Sequence, residues 1–274
     1  MNVKRLIVAF CFFFAVGLQA DTSKVLVPIV PSIFGPTPGA YGSLWTAMLV
    51  ARNHSDAAVD VAPGGGCAIP EGCGTTHGPH TTFVPYIASA NPNAGLFVFV
   101  SQPDAISFEL RVQDLSRQAE TWGTSIPVVR EADTFTTTLQ LLDVTVDSKF
   151  RSSLRVYAFE LAALSEEPKV RVRIYDMCGI GVLDAPCSDV PLVDTQLELP
   201  FVDDRIFPES AMIADLVAAF PQLASVRPVI TGAGPARPPA VRIEIDPINP
   251  GLRFWAFATV TNNATQHVTA ITPN

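Results

Sequence analysis

The chain has 274 residues, of which 48% are hydrophobic and only 16% are charged, so it contains ample apolar material for a folded core. Acidic residues outnumber basic ones by 26 to 18, and this balance gives no electrostatic basis for binding nucleic acid or anionic lipid. The 24 prolines and 17 glycines follow no fixed period, which excludes a collagen-like repeat and places them in turns between apolar runs.

Residues 1–20 have the features of an export signal. Lys4 and Arg5 form a short positive segment, residues 6–16 are apolar throughout, and Ala20 is the small residue that signal peptidase requires. This apolar run is too short to cross a hydrocarbon core of roughly 30 Å, so we expect cleavage and a mature protein without a membrane span. The mature protein is then secreted or held in the periplasm or cell envelope, and cleavage changes its formal charge from −8 to about −10.

Alternation of apolar and polar residues with a period of two is the dominant pattern along the chain. Because successive side chains of a strand point to opposite faces, this pattern predicts strands with one buried face. More continuous apolar runs predict strands that are covered on both faces or lie at a domain contact. In chain order, the predicted strands lie at residues 44–51, 96–100, 106–113, 136–142, 154–157, 170–174, 241–245 and 252–261. Turn residues separate these runs, which indicates an all-β fold of antiparallel sheets.

One segment has a helical pattern instead. Apolar residues recur at helical spacing at positions 212, 213, 216, 217 and 220. The preceding Pro208 and Glu209 suit the first turn of a helix, and the following Pro221 suits its end. We therefore predict one amphipathic helix of about three turns, from Glu209 to Phe220, which covers a sheet edge and lies over Trp255.

Four cysteines lie beyond the signal segment, in two local pairs. Cys67 and Cys73 enclose five residues, and Cys178 and Cys187 enclose eight. An even number of cysteines in an exported chain indicates disulfides, and these spacings favour the local pairing among the three possible connectivities.

The order of the predicted elements indicates an internal duplication. Each half has a strand pair, then a cysteine loop, then further strands around a proline-containing turn. We assign one domain to residues 21–130 and a second to residues 131–274, with the helix-bearing stretch at about residues 203–235 as an insertion in the second. The join contains neither Gly nor Pro, which predicts a stiff connection.

Three segments of the chain resemble a group of exported bacterial proteins. These segments run from Trp122 to Glu131, from Phe150 to Tyr157, and from Val260 to Thr269. The proteins they resemble are tandem immunoglobulin-like β-sandwiches whose role is uncharacterised. The resemblance implies two tandem antiparallel immunoglobulin-like β-sandwiches for this chain, and it implies no activity because the shared motifs are structural.

The first cysteine loop and its flank hold the residues best suited to a metal. Two thiolates and two imidazoles could surround zinc, but the spacing of Cys67, Cys73, His77 and His80 matches no common zinc finger. Oxidised cysteines also supply no thiolate ligand. The favoured interpretation is a disulfide loop followed by exposed histidines, and the alternative is a weak metal pair of His77 and His80 with Glu71.

Sequence signatures of catalysis are absent. The chain has no nucleophile elbow, no zinc-protease motif and no phosphate-binding glycine loop. His54 lies in a run of turn-forming residues. The carboxylate pairs Asp143 with Asp147 and Asp203 with Asp204 fit turns better than a glycosidase or calcium site.

The strand at residues 252–261 contains a candidate ligand surface. Arg253, Trp255 and Phe257 share one face of it, and an exposed aromatic row beside a guanidinium can bind sugar rings. The alternative is a strand buried on both faces. A small basic ridge on facing strands, expected to be solvated or ion-paired, comprises Arg155, Arg171 and Arg173.

We therefore expect a non-catalytic interaction or structural module of the cell envelope or extracellular space, without a cofactor. Its partner would be a protein or a glycan, bound by the long loops at residues 62–81, 176–190 and 200–240, because loops often carry binding residues. A carbohydrate-binding protein is the alternative, and a metal-dependent or acid–base hydrolase is less favoured.

Overall fold

The computed structural model describes residues 23–30, 35–63, 74–85, 95–117, 123–159, 167–177, 189–200, 208, 210–228 and 237–273. This part of the chain is mainly antiparallel β-sheet, which confirms the all-β prediction. The strands are β1 (Ser23–Val27), β2 (Thr37–Pro38), β3 (Leu44–Asn53), β4 (Val59–Pro63), β5 (Thr75–His77), β6 (Thr82–Phe83), β7 (Leu96–Val100), β8 (Ile106–Asp114), β9 (Thr124–Ile126), β10 (Val129–Arg130), β11 (Leu139–Thr145), β12 (Phe150–Ala158), β13 (Lys169–Asp176), β14 (Val193–Glu198), β15 (Ala211–Ile213), β16 (Ala240–Pro247), β17 (Phe254–Asn262) and β18 (Val268–Ile271).

The strands form four antiparallel sheets. In the first half of the chain, β10-β1-β7-β4-β5 form one sheet and β2-β3-β8-β9 form another, with β6 also paired to β3. In the second half, β11-β16-β13-β14 form one sheet and β15-β12-β17-β18 form the other, which we name the central sheet. Its two middle strands, β12 and β17, pair over their full lengths, from Phe150 with Asn262 to Ala158 with Phe254.

One buried core lies between the two sheets of the second half. Alternate residues of β12, including Leu154 and Val156, point into it together with Phe254 and Ala256 of β17. The facing sheet contributes Leu139, Leu141, Val170, Val172, Ile174, Ile243 and Ile245. The period-two patterns of β13 and β16 therefore place their apolar residues on this face, as the sequence predicts.

A second buried core fills the first half of the chain, and the second half contributes to it. The aromatic side chains that cross from the second half are Tyr157, Phe159, Trp255 and Phe257. They lie on the face of the central sheet opposite to Phe254. Hydrogen bonds join the same regions, because the Tyr157 hydroxyl donates to the Pro28 carbonyl and the Lys24 ammonium donates to the Phe159 carbonyl. The central sheet is therefore packed on both faces.

The strand predictions are confirmed, but the helix prediction is largely wrong. Each predicted strand overlaps an observed one. The predicted helix from Glu209 to Phe220 is replaced in its first half by β15, which pairs with β12. Among the described residues of this segment, only Leu216–Ala219 form an α-helix, which we name α1.

The short helix α1 begins after the N-cap residue Asp215, which was not part of the helix prediction. The Asp215 carboxylate accepts hydrogen bonds from the backbone N–H groups of Val217 and Ala218, at 3.0 and 3.2 Å. Pro221 starts a 3-10 helix, Pro221–Ser225, whereas the sequence predicted only that the α-helix ends there. Trp255 is packed in the first-half core, so it does not lie under α1 as predicted.

Several predictions concern residues outside the described ranges. They are the signal segment 1–20 and the disulfide residues Cys67, Cys73, Cys178 and Cys187. Among the residues that the structure does describe, no helix is long and apolar enough to cross a membrane.

Candidate functional site

A cavity of about 400 Å³ lies between the central sheet and the first half of the chain. Its floor is the same face of the central sheet that carries Tyr157 and Trp255. Its wall comes from β3, β8 and the segments that follow β1. The two halves therefore pack closely at one end of the central sheet and border a cavity, partly open to solvent, at the other.

Strand alternation places polar side chains on the cavity floor. The three floor residues of β12 occupy alternate positions, and they are Arg151, Ser153 and Arg155. On β17, Thr261 lies opposite Arg151 and Thr259 lies opposite Ser153. Because residues directly opposite in a sheet point to the same side, this face changes from aromatic at the Tyr157 end to polar at the Arg151 end.

The rest of the cavity lining is mostly apolar. It comprises Ile29, Val30, Pro38, Ala40, Trp45, Ala47, Val112, Met212 and Val268, with a few small or hydroxyl residues. The Trp45 ring lies against Gly39, where an added Cβ would come within 2.5 Å of the indole nitrogen. Glycine at this position therefore permits the tryptophan to form part of the wall.

Arg151 and Arg155 are the only ionisable side chains among the described residues that line the cavity. The Nη1 atom of each is buried and has no hydrogen-bond partner in the part of the chain that the structure describes. Neither guanidinium forms an ion pair there, and the Arg151 guanidinium lies over the ring of Tyr41, 5.7 Å from its centroid. Two positively charged side chains therefore line the cavity without an acidic partner among the described residues.

The hydroxyls on the floor are arranged for hydrogen bonding. Ser153 Oγ lies 2.6 Å from Thr259 Oγ1, in the row between the two arginines. Among the described lining residues there is no carboxylate, imidazole or thiol to act as a base or activated nucleophile. The arrangement favours recognition of a ligand over acid–base chemistry.

The other two arginines of the expected basic ridge lie elsewhere. Arg171 binds Asp194, with its Nε atom 2.7 Å from Oδ1, and Arg173 binds Asp246 at 2.6 Å. Both belong to β13, in the sheet formed by β11, β16, β13 and β14, whereas Arg155 belongs to the central sheet. The predicted ridge is therefore wrong, because its strands are in different sheets. Arg171 and Arg173 are ion-paired as expected, whereas Arg155 has no acidic partner among the described residues.

The candidate sugar-binding row is inside the protein. Trp255 is 4% exposed and Phe257 is fully buried, and their rings stack on each other with centroids 5.2 Å apart. Arg253 forms an ion pair with Glu131. No face of either ring is open to a sugar, so the exposed aromatic row expected from the sequence is corrected to an internal packing contact between the halves.

His77 and His80 have different partners. The His77 ring stacks on Phe83, and burial lowers its pKa against the raising effect of Asp60. His80 Nε2 lies 2.9 Å from a carboxylate oxygen of Asp56. Among the described residues, no three potential ligands are grouped to hold a metal. The other members of the candidate set lie outside these residues, namely Cys67, Glu71 and Cys73.

The carboxylates and histidine considered for catalysis serve local structure. Asp143 binds Arg237, and the Asp147 carboxylate accepts a hydrogen bond of 2.7 Å from the Lys149 backbone N–H. His54 Nε2 lies 2.9 Å from the Asp104 carbonyl oxygen. The remaining pair lies outside the described residues, namely Asp203 and Asp204.

A search against protein-family models, curated proteins and solved structures finds no match to this chain. The site is therefore interpreted from its own geometry. Sequence reasoning missed Arg151 and the cavity wall at Trp45. One sequence feature could have indicated this site. Arg151, Ser153 and Arg155 occupy alternate positions, which places all three on one face of a strand.

Proposed function

We propose that this chain is a non-catalytic exported binding module, built as two tandem immunoglobulin-like β-sandwiches, that holds a ligand in the cavity between its halves. The observation that carries the proposal is the cavity floor, where two arginines without an acidic partner among the described residues lie beside hydroxyls and face a mostly apolar wall. Export is supported by the signal-like composition of residues 1–20.

The order of the strands supports the tandem arrangement. The first half has three two-residue strands, β2, β6 and β10. When β2 and β10 are left aside because the second half has no counterpart of them, and β6 is kept, each half has eight described strands, which can be ranked in chain order. By rank, the sheets of the first half run 1-6-3-4 and 5-2-7-8, and those of the second half run 1-6-3-4 and 5-2-7-8 as well. A duplicated domain joined near residue 130 accounts for this match, and it agrees with the resemblance to tandem immunoglobulin-like proteins.

The size of the cavity supports a small ligand. Binding sites for small molecules typically enclose about 300–1,000 Å³ and combine apolar walls with a few polar groups. The volume of about 400 Å³ and the lining of this cavity fit that description. A protein or glycan partner, as expected from the sequence, would enter it with one terminal group.

The proposal is tested with two probes of the same shape, 2-naphthoate and 2-naphthamide, by isothermal titration calorimetry. We expect at least one of them to bind with a stoichiometry of one. Ala47→Phe, which fills the cavity, should weaken that binding at least tenfold. Met48→Phe is the matched control, because Met48 is the next residue of β3 and its side chain is 45% exposed. Absence of binding by both probes, or unchanged binding to Ala47→Phe, would overturn the proposal.

A further inference from the structure

We propose that the ligand of this cavity is a small organic anion with an apolar body, bound through Arg151 and Arg155. This inference rests on the proposed binding function and adds the chemical class of the ligand. The two guanidiniums are the only charged groups among the described lining residues, so the cavity carries a positive charge within a chain whose formal charge is −8.

The contrast with three ion-paired arginines of the second half gives the first argument. Arg171, Arg173 and Arg237 each bind an aspartate, whereas the floor arginines bind no acid in the described part of the chain. A guanidinium stays protonated in proteins and has no acceptor of its own. A guanidinium that lines a cavity without an acidic partner therefore attracts an anion, and its planar fork matches a carboxylate.

The composition of the wall gives the second argument. A hydrated inorganic anion would leave the apolar surface of Trp45 and Val112 in contact with water. An organic anion covers this surface with its body while its charged group reaches the floor, which satisfies both parts of the lining. Arg151 and Arg155 are four residues apart on one strand, so their Cα atoms are about 13 Å apart. A carboxylate above Ser153 can therefore attract both guanidiniums.

The test compares 2-naphthoate with 2-naphthamide, which differ in charge and share one shape. By isothermal titration calorimetry at pH 7, the carboxylate should bind at least tenfold more tightly than the amide. The double variant Arg151→Gln and Arg155→Gln should weaken the carboxylate at least tenfold and change the amide less than threefold. Circular dichroism and thermal unfolding establish that each variant is folded. If the double variant does not fold, the two single variants provide the same comparison.

The matched control removes the same charge elsewhere. Arg171→Gln with Arg237→Gln eliminates two exposed, ion-paired guanidiniums on other parts of the second half, so it should leave the affinity for 2-naphthoate unchanged. Equal affinity for the two probes, an unaffected floor variant, or an equal loss in the control would overturn the anion proposal. If the two probes bind equally and Ala47→Phe weakens their binding, only the anion proposal is overturned and the proposed binding function stands. If neither probe binds, both proposals are overturned.

Discussion

Asp114, at the end of β8, is a fully buried carboxylate held by several hydrogen-bond donors. Its Oδ1 atom accepts hydrogen bonds from the Leu44 backbone N–H at 2.8 Å and from the Ser116 hydroxyl at 2.6 Å. Burial alone would raise the pKa of Asp114. The hydrogen bonds from Ser116 and Leu44, with the charge of Arg117, outweigh burial and hold the pKa of Asp114 below its ordinary value.

This depressed pKa predicts an acid-sensitive contribution to stability. Because the folded-state pKa lies below the unfolded value of about 3.9, the stabilisation is complete above that pH and is lost as the pH falls through the folded-state pKa. Asp114→Asn should lower the free energy of unfolding by about 1–3 kcal/mol at pH 7. It should also lose less stability than the wild type between pH 5 and pH 3 in urea titrations. Asp56→Asn is the control, because the Asp56 carboxylate is exposed, and it should keep the acid dependence of the wild type. If Asp114→Asn loses as much stability between pH 5 and pH 3 as Asp56→Asn does, this assignment is contradicted.

Arg155 presents the opposite case, a polar group whose environment does not satisfy it. Removing a half-buried charge that has no acidic partner among the described residues relieves a desolvation cost, so Arg155→Met should leave the free energy of unfolding unchanged or raise it by up to about 1 kcal/mol. Arg173→Met removes a guanidinium bound to Asp246 and Glu244, and it should lower the free energy of unfolding by about 1–2 kcal/mol. Urea unfolding measures both. If Arg155→Met lowers the free energy of unfolding as much as Arg173→Met does, Arg155 stabilises the ligand-free protein and the prediction is contradicted.

At the scale of elements, the strands were predictable because their patterns are local. Residues 106–113 alternate strictly, and they form most of β8. β12 also alternates, and its apolar residues Leu154 and Val156 face the second-half core as predicted. Its other face was not predictable, because Tyr157 meets the first half and Arg155 meets a cavity. Those contacts join residues more than 100 positions apart, and no local pattern encodes them.

The helix prediction failed for a related reason. Met212 and Ile213 have helical spacing with Leu216, but they lie in β15, where Ile213 pairs with Leu154 of β12. Hydrogen bonding along the edge of the central sheet outweighs helical propensity, which is a weak preference for a short segment. The cap at Asp215 then starts α1 only after this edge strand ends.

At the scale of the whole molecule, the two halves share a core. Four aromatic side chains of the second half are packed with the first-half residues, and Thr124 of β9 donates a hydrogen bond to the Val268 carbonyl of β18. The cavity lies beside this contact and has lining residues from both halves. Any change in how the halves meet should therefore alter the binding site as well as the stability.

This coupling predicts how the protein unfolds. Phe257 lies on a strand of the second half but packs in the first-half core, where it is fully buried. In the wild type, urea transitions followed by tryptophan fluorescence and by circular dichroism should coincide, because the halves unfold together. Phe257→Ala should lower the free energy of unfolding by about 3–5 kcal/mol and separate the two transitions, because it weakens the contact that couples the halves.

Phe254→Ala is the matched control for this prediction. Phe254 is the same residue type on the same strand, and it is also fully buried, but it points into the second-half core. Its replacement should lower stability by a similar amount while the contact between the halves stays intact, so both probes should shift together. Coincident transitions in Phe257→Ala, or separate transitions already in the wild type, would show that the aromatic contact does not make the halves one cooperative unit.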